Sequence, residues 1–480
     1  MRISKKDFYK IHDYLWEIRQ DFRPDMRVPA RIYISEKMLE KCFQDESLEQ
    51  LINTTTLPGI VKYALAMPDA HEGYGFCIGG VAATQLPNGV ISPGGIGFDQ
   101  NCGTRLLLSD YSEKEIKPYL DKLASEIQKK VPSGLGQRGT LKLNIEQINK
   151  VLEGGAKYLV EKGYGETLDI EHCEANGCLE AADANAVSFR AKNRGQDQLG
   201  TLGSGNHFCE IDKVTQIFEP EIAKTLDLFE DQIVVFIHTG SRGLGHQNCT
   251  DYLRLMIQTM ERYKIRVSDR ELASVPFSSP EGQRFFKAMS AGANYAWANR
   301  QLITFYIRKI WNSILTKGKL KVLYDVAHNI AKVEKHIINN KEMELCVHRK
   351  GATRAFPPGH PEIPTKHQSV GQVVLIPGSM GTASYILVGT KEADQTFYST
   401  THGSGRLMSR QAATKKILAQ ELIKELNQKG ILIKCHSLKG LTEEAPSAYK
   451  NIDEVIEVVH QTKFSKKVAK LKPLVVIKGE

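Results

Sequence analysis

Six loops along the 480-residue chain carry a metal-capable or nucleophilic side chain, five of them among glycines. They are Pro68-Asp69-Ala70-His71-Glu72-Gly73, Gly97-Phe98-Asp99-Gln100-Asn101-Cys102-Gly103, Gly203-Ser204-Gly205-Asn206-His207, His238-Thr239-Gly240-Ser241-Arg242-Gly243, Asp325-Val326-Ala327-His328-Asn329 and His402-Gly403-Ser404-Gly405-Arg406. Glycine lets backbone amides approach an anion closely and permits left-handed turns that aim a neighbouring side chain. Metal plus phosphate is the natural combination for such loops, provided the fold gathers them.

Between the loops, short β-branched runs at 80–84, 232–238, 321–326, 373–377 and 384–388 read as strands. Helical periodicity at 5–20, 113–130, 281–315 and 410–428 predicts amphipathic surface helices, the second opened by a capping pair, Ser112 and Glu115. The fold class is therefore mixed α+β. No repeat, low-complexity tract or long linker forces a cut, so residues 1–480 are expected to form one large catalytic domain, and a hydrophobic content of 41% suffices for its core. Spacing between the runs is too irregular to give a strand order.

The longest apolar stretches, 233–237 and 373–376, reach about five residues, against roughly 20 needed to cross a bilayer. Lys5 and Lys6 are followed by Asp7, His12 and Asp13 and not by an apolar segment, which argues against a secretory signal and for a cytoplasmic protein without membrane contact. Nine cysteines, an odd number scattered from Cys42 to Cys435, read as reduced thiols. The formal charge of +9 is concentrated late: residues 401–480 carry fifteen Lys plus Arg against eight Asp plus Glu. Such a basic segment suits a polyanionic partner, and equally a well-solvated helix surface.

Asp99 and Cys102 lie three apart on one loop, and His207, His238 and His328 would complete two metal sites if the fold brings them there. A thiolate can bridge two ions. Imidazole, carboxylate and thiolate together accept manganese or zinc, so the ligand types do not choose the metal. Each histidine alone reads more naturally as a hydrogen-bonded structural residue; the set carries the argument. Cys173 and Cys178 beside His172 lack a second pair at zinc-site spacing, and Gly94-Gly95-Ile96-Gly97 lacks the Lys-Ser/Thr of a P-loop and reads as a turn that positions Asp99. A Ser-His or Cys-His dyad stays open, although a metal-bound thiolate is a poor nucleophile.

Longer runs containing these loops resemble the RtcB family: Met67 to Gly75, Ser92 to Gly103, Leu202 to Phe208, His238 to His246, Asp325 to Asn329, His348 to Phe356, Pro377 to Thr382 and His402 to Arg406. The resemblance extends from about Arg27 to Lys478. It implies a fold peculiar to that family and a GTP- and manganese-dependent RNA ligase, which joins 2′,3′-cyclic phosphate or 3′-phosphate ends to 5′-hydroxyl ends in tRNA splicing or RNA repair. The family motif makes His402 the guanylated nucleophile. It also puts two Mn(2+) ions on Asp99, Cys102, His207, His238 and His328, with Cys102 bridging. The nucleotide would lie along Asn206, His207, Phe208, Cys209 and Glu210; His328 and Asn329; Pro377, Gly378, Ser379 and Met380; Ser384; His402, Gly403, Ser404 and Gly405; and Lys478. Arg242, Lys350, Arg406 and Arg410 become candidates for RNA phosphates, and the small activator archease a possible partner. Two positions depart from the family pattern: Cys77 stands where proline is common and Ser404 where alanine is frequent. Competing readings are a metal phosphoesterase, an RNA 3′-end guanylyl-capping enzyme and a non-catalytic RNA-binding relative. The physiological RNA and the oligomeric state are not legible.

Overall fold

A computed structural model describes residues 3–435 and 437–479; His436 and the extreme ends of the 1–480 span lie outside the described residues. The chain mixes helices and strands, and two large sheets dominate it. The first has seven strands in the order Tyr9–His12, Leu15–Ile18, Ala30–Tyr33, Ala64–His71, Ile78–Gln85, Lys341–Lys350, Asn329–Ile338. The second runs Lys321–Ala327, Gly103–Ser112, Gln232–Thr239, Phe208–Ile217, Ser465–Lys478, Ser384–Gly389, Val373–Ile376, with Leu432–Cys435 also paired to Ser465–Lys478. The Thr104 hydroxyl donates to Leu375 O at 3.3 Å, which ties the second strand of this order to its far edge.

The direction of the strands in the second sheet makes the site. Its first five strands are antiparallel to one another. The ends of Lys321–Ala327, Gln232–Thr239 and Ser465–Lys478 therefore meet the beginnings of Gly103–Ser112 and Phe208–Ile217 along one rim. Registers fix the match: Ala327 faces Gly103, Thr104 faces His238, and Phe208 faces both His238 and Lys478. Cys102, His207 and His328 sit one residue beyond their strands, so the pleat delivers four metal-capable side chains to one place from positions more than two hundred residues apart.

The helix Pro280–Ile314 lies behind this rim. Ser279 caps it, accepting Gly282 N at 3.0 Å, and Pro280 occupies the first turn, where its missing N–H costs nothing. Periodicity predicts an amphipathic surface helix here; every residue from Ala288 to Thr304 is buried instead, on all sides of the helix. The polar residues that simulated a solvent face, Asn294, Asn299, Arg300, Gln301 and Thr304, have internal partners instead.

The expected helix at 5–20 is the other correction. A short 3-10 turn Lys5–Asp7 precedes a hairpin, Tyr9–His12 paired with Leu15–Ile18. Tyr14, Trp16 and Ile18 alternate with period two, and Trp16 buries its ring while its indole N–H donates to Ile34 O at 3.2 Å. The span 410–428 is two helices, Arg410–Lys416 and Ala419–Gln428, and 113–130 is Glu113–Ile116, a 3-10 turn and Leu120–Lys130. The capping pair Ser112–Glu115 and all five predicted strands are present.

Candidate active site

Five predicted ligands converge on the rim of the second sheet. Cys102 Sγ lies 3.2 Å from His207 Nε2 and 3.3 Å from His238 Nε2, His238 Nε2 lies 3.3 Å from His328 Nε2, and His207 Nε2 lies 2.9 Å from Asp99 Oδ2. They form two groups able to hold a metal ion, Asp99–Cys102–His207 and Cys102–His238–His328, with Cys102 common to both.

The donor chemistry fits cations. Burial drives His238 and His328 well below the usual histidine range, which favours neutral rings able to offer a nitrogen lone pair to a cation. Nδ1 of His207, His238 and His328 is buried with no hydrogen-bond partner among the described residues, and it is the Nε2 atoms of the three rings that converge on Cys102 and one another. Burial pushes the Asp99 carboxyl up, but hydrogen bonding to His207 outweighs it and holds the group at about 2. Burial, reinforced by Asp99, raises the Cys102 thiol well above its ordinary value; a bound divalent cation would reverse that. Gly240 is required here for space: a Cβ would stand 2.4 Å from Asp99 Oδ1.

The loops are held from behind by one guanidinium. Arg300, on the buried helix, donates to Asn101 O at 2.9 Å, Asn101 Oδ1 at 3.0 Å and Thr239 O at 2.8 Å, and forms two-pronged bonds to Asp325. It thereby grips residues adjacent to Cys102 and His238 and the strand that ends at His328. Arg105 binds the same carboxylate at 2.7 Å.

His402 enters from the other side, following the short strand Ser399–Thr401. Its ring centroid lies 5.0 Å from that of His328. Nδ1 of His402 is 2.5 Å from Oδ2 of Asp69, a fully buried carboxylate on the first sheet, and the backbone N–H groups of His402 and Gly403 donate to the same oxygen at 3.1 and 3.2 Å. Burial raises Asp69, and the bonds and charge of His402 overcome it, so the carboxyl stays below its usual value. With Nδ1–H committed to Asp69, the lone pair of His402 resides on Nε2. Gly351, at φ +62°, lies flat against this ring: a Cβ there would be 3.0 Å from His402 Cε1.

A cavity of about 350 Å³ lies between the two sheets, and its walls include Asp99, Cys102, Asn206, His238, His328, Asn329, Pro377, Gly378, His402, Gly403, Ser404 and Gly405. A larger cavity, about 640 Å³, is built around the far end of Lys321–Ala327 and contains none of the predicted site residues. We take the smaller as the site because the ligand cluster is there.

The remaining predicted residues surround it unequally. Asn329 Nδ2 donates to Asp99 O at 3.1 Å, and its Oδ1 accepts Gly351 N at 2.8 Å. Ser384 Oγ accepts Gly378 N at 3.0 Å. Lys478 is buried and donates to Gly205 O at 2.7 Å, and Glu210, also buried, feels its charge. Phe208 packs edge-on to His238; Cys209 points into the main core, and Met380 packs with Leu422 and Leu426. Ser379 N donates to Thr382 Oγ1 at 2.8 Å.

Among the basic candidates, Arg242 donates to Thr201 Oγ1 and Gly134 O, while Arg406 and Arg410 both bond Glu444 Oε1, at 3.1 and 3.2 Å. Lys350 lines the cavity but spends its ammonium on the carbonyls of Tyr74, Phe76 and Gly94, leaving no N–H for a phosphate while those bonds persist. Cys178 Sγ donates to Glu153 O at 3.2 Å, and Cys173 is a core residue.

The family model described as tRNA-splicing ligase RtcB matches residues 50–479. The chain belongs to the RtcB family. Among its relatives, the tRNA-splicing ligase RtcB of Thermococcus kodakarensis is 50% identical over 475 residues, covering 98% of both chains. That of Methanococcus maripaludis is 50% identical over 480 residues, covering 99% of this chain and 100% of the relative. The RNA-splicing ligase RtcB of Mycobacterium tuberculosis is 48% identical over 433 residues, 90% of this chain and all of its own. The RtcB-like motifs contain the five clustered side chains and His402. Sequence reasoning missed Asp69, Arg300 and Glu444: Asp69 lay inside a quoted motif without a role, and the other two stand outside every glycine-rich loop.

Proposed function

We propose that the protein is an RNA ligase that uses GTP and manganese to join RNA 2′,3′-cyclic phosphate or 3′-phosphate ends to 5′-hydroxyl ends through a guanylated His402. The carrying observation is the Asp69–His402 pair facing two ligand groups that share Cys102 across one cavity. When bound on those groups, manganese would neutralise the triphosphate and stabilise the charge that develops as pyrophosphate departs.

The chain's own residues account for the rest. Asp69 holds the proton on Nδ1 and stabilises the positive charge that the ring acquires, in the manner of the carboxylate of a catalytic triad. Nε2 then attacks the α-phosphorus; the nitrogen–phosphorus bond forms and the bond to the β-phosphate oxygen breaks. A 3′-phosphate oxygen of RNA next displaces the imidazole, giving RNA(3′)pp(5′)G. The 5′-hydroxyl attacks the RNA phosphorus, loses its proton, and GMP leaves. Cyclic ends first take up water to become 3′-phosphates. Asn206, Glu210, Asn329, Ser379, Ser384, Ser404 and Lys478 are the proposed nucleotide contacts, and Arg242, Arg406 and Arg410 the proposed RNA contacts. A half-buried Arg410, whose side chain is 55% exposed, is the most available of the three.

Incubation with manganese and GTP labelled at the α-phosphate, followed by RNA with 3′-phosphate and 5′-hydroxyl ends, tests this reading. The protein should take up label, and the label should leave as RNA is joined. Release of nucleotide with no labelled protein would replace the reading with a phosphoesterase.

A further inference from the structure

Beside the metal-capable groups stands a row of three aromatic rings that the chemistry above does not use. Phe98, next to Asp99, is stacked on the imidazole of His246, with centroids 4.9 Å apart and planes 25° apart. Tyr74 meets Phe98 edge-on, at 5.2 Å and 63°. Tyr74 and Phe98 line the cavity and are half-buried, whereas His246 is exposed, so its outer face is free. The row leads from the reacting centre to solvent.

Charge divides the two ends of the row. On the Tyr74 side, a Glu271 carboxylate oxygen accepts Gly75 N at 2.8 Å. On the His246 side, Arg194 Nη1 donates to Gln247 Oε1 at 3.3 Å, and its charge lowers the His246 imidazole further after burial has done so. Arg242 opens the helix Arg242–Thr259 with a left-handed φ of +56°, and its guanidinium turns to Thr201 Oγ1 and Gly134 O, so Arg194 is the guanidinium beside His246. Flat rings flanked by guanidinium groups recognise unpaired nucleobases and the phosphates that join them.

We propose that His246 and Phe98 form a stacking platform for the unpaired nucleobase at the RNA end being joined, with Arg194 taking its phosphate. The proposal rests on the ligase reading above. It explains why an exposed imidazole is held nearly parallel to a phenyl ring that lines the cavity: the pair extends one π-surface from the reacting centre outward. It also makes the site tolerant of sequence, since every base offers a π-face.

The test compares wild type, His246→Ala and His246→Tyr in two assays: adduct formation from labelled GTP without RNA, and joining of RNA that is intact or carries one abasic nucleotide at the 3′-terminal or the 5′-terminal position. Loss of one stacked base should raise KM for RNA about tenfold in His246→Ala. His246→Tyr should recover most of that loss, and adduct formation should continue in both variants. An abasic site at the end that uses the platform should raise the wild-type KM by a similar factor and add nothing in His246→Ala. An unchanged KM in His246→Ala, indifference to abasic sites at both ends, or an equal fall in adduct formation and joining would each overturn the platform. Absence of any wild-type adduct would instead overturn the ligase reading.

Discussion

Asp69→Asn isolates the charge behind the proposed nucleophile. Asn can still accept the N–H groups of His402 and Gly403 and the Nδ1–H of His402, so the geometry is retained. It cannot stabilise an imidazolium. Removing one partner of a buried charged pair costs about 3–5 kcal/mol, and at 1.36 kcal/mol per tenfold that corresponds to a guanylation rate lowered by about 10²–10⁴. A second cost falls on stability. Asp69 Oδ1 is buried with no partner among the described residues, so an amide nitrogen there would be an unsatisfied donor, at about 1–3 kcal/mol. Single-turnover transfer of label from GTP to protein reads the first effect, and thermal melting reads the second. The decisive control is RNA that already ends in a 3′-diphosphate-linked guanosine: sealing of it needs no nucleophilic histidine, so Asp69→Asn should seal it at near the wild-type rate. Guanylation within twofold of wild type, or loss of guanylation and bypass sealing together, would refute the reasoning.

Cys102→Ala should abolish both adduct formation and joining and reduce manganese bound per chain, since one substitution removes a ligand from both groups; wild-type rates would sink the assignment. Arg300→Met should lower the melting point and weaken manganese binding, with a stability loss of about 3–5 kcal/mol because Asp325 loses one of its two buried cations; unchanged metal affinity would mean that the guanidinium supports the fold alone. Stability should also fall as pH drops from 6.5. Burial lowers His348 to about 4 and His367 to about 3, so between those values and the unfolded value the unfolded chain binds more protons, costing about 2 kcal/mol per residue by pH 5. A flat melting point from pH 7 to 5 would contradict this.

Much of the site was legible because its local chemistry is written in short loops. Asp99, Cys102, His207 and His238 announce themselves by residue type and glycine neighbours, His328 by its motif Asp325 to Asn329, and the structure brings all five together. Their convergence was not legible, because it depends on alternating strand directions across one sheet and on registers such as Phe208 with Lys478, which pattern alone does not specify. Periodicity failed in two places for physical reasons. At 9–18 a helical count competed with the period-two series Tyr14, Trp16, Ile18, and tertiary pairing chose the strand. On Pro280–Ile314 polar residues looked like a solvent face, although Asn294, Asn299 and Arg300 are tethers to surrounding loops. A tether and a surface residue have the same letter.

The buried thiol also sets how the centre takes up metal. In the metal-free protein Asp99 is ionised, His238 and His328 are neutral, and burial keeps Cys102 protonated, so among these four groups only the thiol must lose a proton on coordination. Cys102 belongs to both candidate ligand groups, so its proton would leave as a first ion binds and a second would meet a thiolate already formed. Affinity for the first manganese should therefore rise about tenfold per pH unit as long as the free thiol stays protonated, while affinity for the second should change much less. Titration of chelator-treated protein with manganese between pH 7.0 and 8.5, with proton release followed in weak buffer, measures both. Proton release with the first ion is the expected result; pH-independent binding with no proton release would mean that Cys102 is not a ligand, and the two ligand groups would then lose the atom that joins them.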